Sequence, residues 1–478
     1  MNLDQQIDEA ISPIASVISE VIFFSVHVAG LDVPVIAFWL ITAGLVFSLY
    51  FRFPNIRYFG LALKIVRGQY TRADEPGDLT HFQALSAALS GTVGVGNIAG
   101  VAVAISIGGP GAMFWMMLAG ILGMATKMVE CTLGVAYRRI NADGTVSGGP
   151  MHYIHKGLTE RGFTRLGPVL ATLFSIFGIG ASITLFQVNQ AFTQFSEATG
   201  FHDGLTFGIV TAFAVGLVII AGVRVIGVVA QALVPLMAFV YLAAGFIILC
   251  LHVEQVPAAF VSIVVGAFAP EGVSGGVIGA MIIGLQRAVY SNEAGIGSAS
   301  IAHSAVKTRE PSSEGLVALL EPFIDTIVVS TMTALIVIVT GAYKIPGLSG
   351  IEITSAAYAS VFPWFPNVLA VAVILFVYTT MLTWSYYSVK CWTYLAGESY
   401  WVELGYKVVY CLLLSTGAVV SMNATIEFAD SMFFAMAIPN VIALYILGPQ
   451  VKSEIEGYVA RIRSGKIRRV ADDAANAD

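Results

Sequence analysis

Between residues 91 and 100 the chain reads Gly91-Thr92-Val93-Gly94-Val95-Gly96-Asn97-Ile98-Ala99-Gly100, in the middle of a strongly apolar stretch. A helix that is glycine-poor on both sides and glycine-rich at its centre tends to unwind there, because each glycine costs about 1 kcal/mol in a helix interior relative to alanine. Unwinding exposes backbone N–H and C=O groups. Inside a bilayer such groups persist only where protein or a ligand satisfies them. A small zwitterion and a cation are the natural occupants of such a break.

That the surroundings are lipid follows from composition. Hydrophobic residues make up 57% of the chain and charged residues 11%, with a mean hydropathy of +0.82, against about 25% charge in soluble domains. The four cysteines, Cys131, Cys250, Cys391 and Cys411, lack metal-type spacing and read as small packing residues. No Lys or Arg precedes Arg52, so the basic start of a cleavable signal peptide is not expected. The net charge of −6 carries less information than its distribution.

About 20 apolar residues cross a bilayer. The predicted fold class is an all-α polytopic membrane protein with eleven spans, near 34–51, 82–107, 111–137, 168–196, 206–222, 226–250, 276–304, 317–341, 367–390, 405–422 and 425–447. The segment 10–30 has amphipathic helical spacing and is expected on the surface; 256–270 is apolar but short, as in a capping helix. Lys and Arg cluster in alternate loops, with Arg52 to Arg72 in the first, Arg138 to Arg165 in the third, and Arg224, Lys307, Arg309, Lys390 and Lys407 in later odd-numbered ones. The intervening loops hold only Lys344, and the tail from 448 to 478 is basic. Positive residues stay on the cytoplasmic side, so the N-terminus is expected outside and the C-terminus in the cytoplasm of a plasma membrane. The tail is an ordinary cytoplasmic flank against lipid, and nothing points to nucleic acid.

The break recurs. Ser291-Asn292-Glu293-Ala294-Gly295-Ile296-Gly297-Ser298-Ala299-Ser300 again interrupts an apolar span. Five spans run from the first break to about 250 and five from the second to about 447. Five is odd, so the second set enters from the opposite face, the pattern of an inverted repeat whose two interrupted helices mark a transport site. The expected organisation is an N-terminal segment 1–33, an extra helix and basic loop 34–81, a first repeat 82–250, a capping segment 251–275, a second repeat 276–447 and the tail 448–478. Close helix packing through Gly96-x-x-x-Gly100 is the competing role of the glycines. A nucleotide fingerprint at Gly94-x-Gly96 lacks its strand.

These residues resemble the alanine or glycine:cation symporters, the sodium:alanine symporter family. The resemblance rests on residues 91–100, on Gly108-Gly-Pro-Gly-Ala-Met-Phe-Trp115, on Ser147-Gly-Gly-Pro-Met-His-Tyr-Ile154 and on Tyr290-Ser-Asn-Glu-Ala-Gly-Ile-Gly297. It implies the leucine-transporter fold and uptake of small neutral amino acids, alanine or glycine, with sodium as the coupling ion and no other cofactor. The chain departs from the family pattern between Gly180 and Phe186-Gln187-Val188-Asn189-Gln190.

On that reading the substrate carboxylate takes the N–H groups and positive dipole end of the half-helix after Gly96, with Gly94 in the break. The ammonium takes carbonyls near Gly91 and Thr92 and the amides of Asn97, Gln187 and Asn292. Neutral groups suit a net-neutral ligand, since an unpaired buried charge is costly. Helix-to-helix hydrogen bonding is the competing role of each amide. Phe186 and Trp384 are the expected wall and gate, and one methylene more or less discriminates by about 1–3 kcal/mol. Sodium, a hard cation, is assigned to Thr379, Thr380 and Thr383 with backbone oxygens of the first break; threonines that only satisfy the preceding turn are the alternative.

Ionisable residues inside spans are functional suspects. Lys127 and Glu130, three apart, are expected to pair; Arg287 and Glu293 flank the second break and could pair or gate; Asp325, Glu427 and Asp430 have no assignable partner, which keeps proton coupling as an alternative. A channel would need a continuous polar lining. An enzyme would need a ligand or nucleophile constellation, and of seven scattered histidines only His152 and His155 are close.

Overall fold

A computed structural model of the protein describes residues 3–28, 31–72, 74–141, 145–269, 276–418 and 423–470, the side chains of residues 3–11, Val28, Leu31, Phe186, Glu197, Asn423 and Ala424 excepted. Among these residues the only strands form two short antiparallel hairpins, Ser25–Val28 with Leu31–Pro34 and Arg139–Ile140 with Val146–Ser147. The rest is helix and turn.

Five helices are each long and apolar enough to cross a membrane: Gly111–Ala136, Val223–Leu251, Pro311–Thr340, Phe365–Ala396 and Thr425–Arg463. A sixth candidate is the pair His81–Thr92 and Gly96–Gly108, bent by 54° at the first glycine run. Val35–Tyr50, Leu166–Ala181, Gly204–Ile220 and Val256–Phe268 are apolar but shorter. Phe213, Leu217, Phe239 and Phe246 lie exposed on the outside, a surface that water would penalise at about 25 cal/mol per Å² and lipid does not. Gly111–Ala136, by contrast, is a central helix, packed by Pro311–Ala318, Gly276–Asn292, Val35–Tyr50 and Ala299–His303. Gly315 sets the closest approach: a Cβ there would lie 1.9 Å from Thr132 Oγ1.

The start of the first broken helix is fixed by its own residues. Thr80 Oγ1 accepts from the Gln83 N–H at 3.1 Å, and Gln83 Oε1 accepts from the Thr80 N–H at 3.0 Å, a reciprocal cap. The helix ends at Thr92, Val93 is extended, and a wide turn over Gly96–Gly100 leads into Val101–Gly108. In the second, Gly276–Asn292 ends against Glu293, Gly295 and Gly297, all at positive φ, before the short helix Ala299–His303. Glu293, at φ 55°, is the costly member, because a side chain with Cβ disfavours the left-handed region.

One expected span is interrupted. The stretch 168–196 is two helices, Leu166–Ala181 and Leu185–Thr199, parted at 182–184. Ser182 Oγ bonds back to the Gly178 carbonyl at 2.6 Å, competing with the helix ladder. Gly180 also packs so tightly on Met432 that a Cβ would come within 2.6 Å. The third interruption aims the polar face of Leu185–Thr199 inward.

Candidate functional site

The two breaks meet backbone to backbone. A Cβ built on Gly96 would lie 3.7 Å from the Tyr290 carbonyl oxygen and from Ser291 Cα. Around this junction is a cavity of about 840 Å³. Gly91, Thr92, Gly94 and Gly96 line it from the first break and Tyr290 and Glu293 from the second. Gln187, Gln190 and Gln194 come from Leu185–Thr199, and Thr380 and Trp384 from Phe365–Ala396. One wall is aromatic: Trp384 packs on Phe433 at 5.9 Å and on Tyr387 at 5.5 Å, and Tyr290 stacks on Phe433 at 5.8 Å. Gln187 Oε1 is buried there with no hydrogen-bond donor among the described residues. A buried acceptor left open is rare and calls for a partner. Phe186 lies on the same helix, but its side chain falls outside the described residues.

Asn97 and Asn292 are placed differently from Gln187. Asn97 is fully buried behind the cavity. Its Oδ1 accepts from the Gly94 N–H at 2.9 Å, and its Nδ2 faces Ser291 Oγ at 2.9 Å, Asp325 Oδ1 at 2.7 Å and Ser330 Oγ at 3.1 Å. It therefore closes the first break on itself and ties it to the second. Asn292 Oδ1 caps the Ala294 N–H at 3.0 Å while its Nδ2 donates to Thr326 Oγ1 at 3.2 Å. Asp325 takes three donors: Asn97, Ser291 Oγ at 2.6 Å and Thr326 Oγ1 at 2.8 Å. Apart from the adjacent Thr326, the partners of Asp325 come from other helices, so no spacing along the chain announces them.

The threonines separate by one helical step. Thr383 Oγ1 lies 3.1 Å from the Ala87 carbonyl and 2.5 Å from Ser90 Oγ. Thr380 Oγ1 lies 2.9 Å from the Ser90 carbonyl. Thr379 Oγ1 turns back to Phe376 O on its own helix at 3.0 Å and does not reach the first broken helix. Gly91 permits this contact, since a Cβ there would press on Thr383 Cγ2 at 3.3 Å. The result is a compact set of hard oxygens: two carbonyls and the hydroxyls of Ser90, Thr380 and Thr383. Ser90, immediately before the glycine run, was missed in the sequence; its position i+3 to Ala87 was the available signal.

Lys127 does not pair with Glu130. Its Nζ donates to Glu321 Oε1 at 2.9 Å, while Glu130 Oε1 accepts from Asn440 Nδ2 at 2.7 Å. Three residues apart on one helix, the two side chains are drawn instead to groups on facing helices. Asp430 does find neighbours, Tyr290 and Arg287, at the cavity wall.

The profile of the Sodium:alanine symporter family matches residues 17–472. The chain belongs to the sodium:alanine symporter family. A sodium/alanine symporter of Methanococcus maripaludis, AgcS, is 38% identical over 426 residues, 88% of this chain and 93% of its own length. A probable sodium/glutamine symporter of Bacillus subtilis, GlnT, is 32% identical over 430 residues, 89% and 88% of the two lengths. Among solved structures, MhsT in complex with L-phenylalanine superposes with a TM-score of 0.51 at 16% identity, over 80% of this chain and 89% of that one. The fold is thus of the leucine-transporter type, and this family member is an integral membrane transporter.

Proposed function

We propose that this family member is a sodium-coupled symporter of small neutral amino acids, alanine and glycine, working by alternating access. The open acceptor Gln187 Oε1 on the cavity wall carries the reading. It suits an ammonium, as do the carbonyls ending the half-helix at Gly91 and Thr92, while the N–H groups beginning the half-helix at Gly96 suit a carboxylate. Asn97 and Asn292 act as positioning residues that hold the breaks in register. Sodium takes the carbonyls of Ala87 and Ser90 and the hydroxyls of Ser90, Thr380 and Thr383, which couples the ion to the geometry of the first break. Trp384 and Phe433 close the aromatic side.

The proposed organisation has eleven spans, a five-plus-five inverted repeat, the N-terminus outside and the C-terminus in the cytoplasm. One net charge entering per cycle adds about 2.3 kcal/mol per 100 mV of membrane potential. The test is uptake of radiolabelled alanine into vesicles carrying the purified protein. An inward sodium gradient is expected to drive accumulation, and potassium replacement to abolish it. Uptake indifferent to sodium would overturn the assignment, and uptake driven by a pH gradient alone would make the proton the coupling ion.

A further inference from the structure

A row of ionisable side chains runs through the core beside the cavity, and neither substrate nor sodium uses it. Lys127 bonds Glu321 Oε1, His303 Nδ1 meets Glu314 Oε1 at 2.5 Å, and His81 Nδ1 meets the other Glu314 oxygen. His303 Nε2 and Glu321 Oε2 face each other at 3.7 Å, just beyond a hydrogen bond, and neither atom has a partner among the described residues. The row leads from Lys127, in the middle of the central helix, to His81, the first residue of the first broken helix. There it meets the loop that carries Glu75 and the Asp78–Arg224 ion pair.

The charges do not cancel. Glu314 and Glu321 have Lys127, His303 and His81 as their ion-pair partners. Glu130 and Glu293 remain, both buried and both coupled to the single charge of Lys127. Each has only a neutral donor, Asn440 for Glu130 and Ser298 for Glu293. No salt bridge reaches either among the described residues. A buried carboxylate without a cation resolves its desolvation by binding a proton.

Glu293 differs from Glu130 in lining the cavity. It is held at φ 55° by the second break, so its conformation is tied to the element expected to move. Lys127, Glu321 and Asp325 act on it from the neighbouring helices, Tyr387 faces it from Phe365–Ala396, and Arg287 shares its wall. Leu40, Val441 and Asn440 come nearest to this break from Val35–Tyr50 and Ala437–Arg463, and Asp430 and Tyr290 share the cavity wall with Glu293.

We propose that Glu293 is a proton-binding site on the wall of the substrate cavity, and that the row Glu321–His303–Glu314–His81 carries its proton to the opposite end of the core. Glu293 gains an O–H bond from the cavity side and, when the second break shifts, loses that proton to the Glu321 carboxylate, which acts on its charge without a hydrogen bond to it here. Glu321 gives it to His303 Nε2 as the His303 Nδ1 proton passes to Glu314. Glu314 hands it to His81, which releases one proton at the far end, so one enters and one leaves. The gap at 3.7 Å is the link that a small helix shift makes or breaks. This inference rests on the transport reading for its purpose, but its first test does not.

That test is infrared difference titration of the full-length protein in lipid without substrate. A protonated-carboxyl C=O band is expected to titrate with pH, to shift when glutamate carboxyls are isotopically labelled, to lose part of its area in Glu293→Gln, and to vanish only when Glu130→Gln is added. Gel filtration and thermal unfolding check that the variant folds; if it does not, a labelled band that persists in Glu130→Gln serves. In vesicles with an internal pH dye, alanine influx is expected to carry protons, and His81→Gln and Glu314→Gln to slow that flow at least tenfold while the band stays. No titrating band, a band unmoved by glutamate labelling, or one undiminished in folded Glu293→Gln would overturn the proposal. A band diminished in Glu293→Gln alongside absent sodium-driven uptake would support the proton site and refute only the symport reading.

Discussion

Asn97→Ala is the sharpest test of how the two breaks depend on each other. The amide has one acceptor oxygen and two N–H donors, so of the partners crowded around it three can be engaged at once: the Gly94 N–H, Asp325 and one of the two serine hydroxyls. Hydrogen bonds within membrane proteins are worth about 0.6 kcal/mol on average and about 1.7 at most. Three of them give about 2–5 kcal/mol, with the upper part favoured because the variant strands a buried N–H and takes one of three donors from the Asp325 carboxylate. Asn97 does not line the cavity, so this energy is spent on holding Gly94 and Ser291 in place rather than on the ligand. The expected outcome is a loss of alanine affinity of at least tenfold, about 1.4 kcal/mol, together with a lowered unfolding temperature. Equilibrium binding of alanine in saturating sodium, with thermal unfolding on the same samples, reads both. Wild-type affinity and stability in Asn97→Ala would refute the argument that this amide couples the breaks.

Thr383→Val keeps the shape and deletes the hydroxyl that reaches Ala87 and Ser90; half-saturation by sodium in uptake assays is expected to rise at least tenfold, with maximal uptake recovered at high sodium. Gly315→Ala pushes a methyl to within 1.9 Å of Thr132 Oγ1 and 2.7 Å of the Met128 carbonyl, overpacking that costs at least about 1–3 kcal/mol and is expected to reduce the yield of monodisperse protein. Gly60→Ala, with nothing within 4 Å of its Cβ, is expected to be neutral or stabilising by about 0.4–1 kcal/mol, and a matched loss in both variants would remove the packing explanation. His152, in the loop segment between spans, is pushed down to about 4 by burial and by Lys390, Arg139 and His155. The unfolded chain binds its proton below about 6.5, so stability is expected to fall, by up to about 1.4 kcal/mol per pH unit, as pH drops through the window from 6.5 to 4. Unfolding midpoints of wild type and His152→Gln across that window check this, since the glutamine variant lacks that part of the slope.

Much of this transporter is written along the chain because the signals involved are local. Apolar length, the glycine runs at 91–100 and 291–300 and the Thr80–Gln83 cap depend on neighbours in sequence, and lipid turns them directly into spans and breaks. Gln187 was legible as a candidate for the same reason. Tertiary structure alone decided what long-range geometry controls. It brought Asn97 onto Ser291 and Asp325 behind the cavity while leaving Gln187 open at its wall. It chose Thr380 and Thr383 over Thr379 for the face that meets Ala87 and Ser90. It broke the stretch 168–196 where Gly180 had to clear Met432, and it gave Lys127 to Glu321 rather than to Glu130. Partners separated by scores to hundreds of residues leave no periodicity to read, and in a low-dielectric core it is they who determine which polar group is satisfied and which stays open for a ligand.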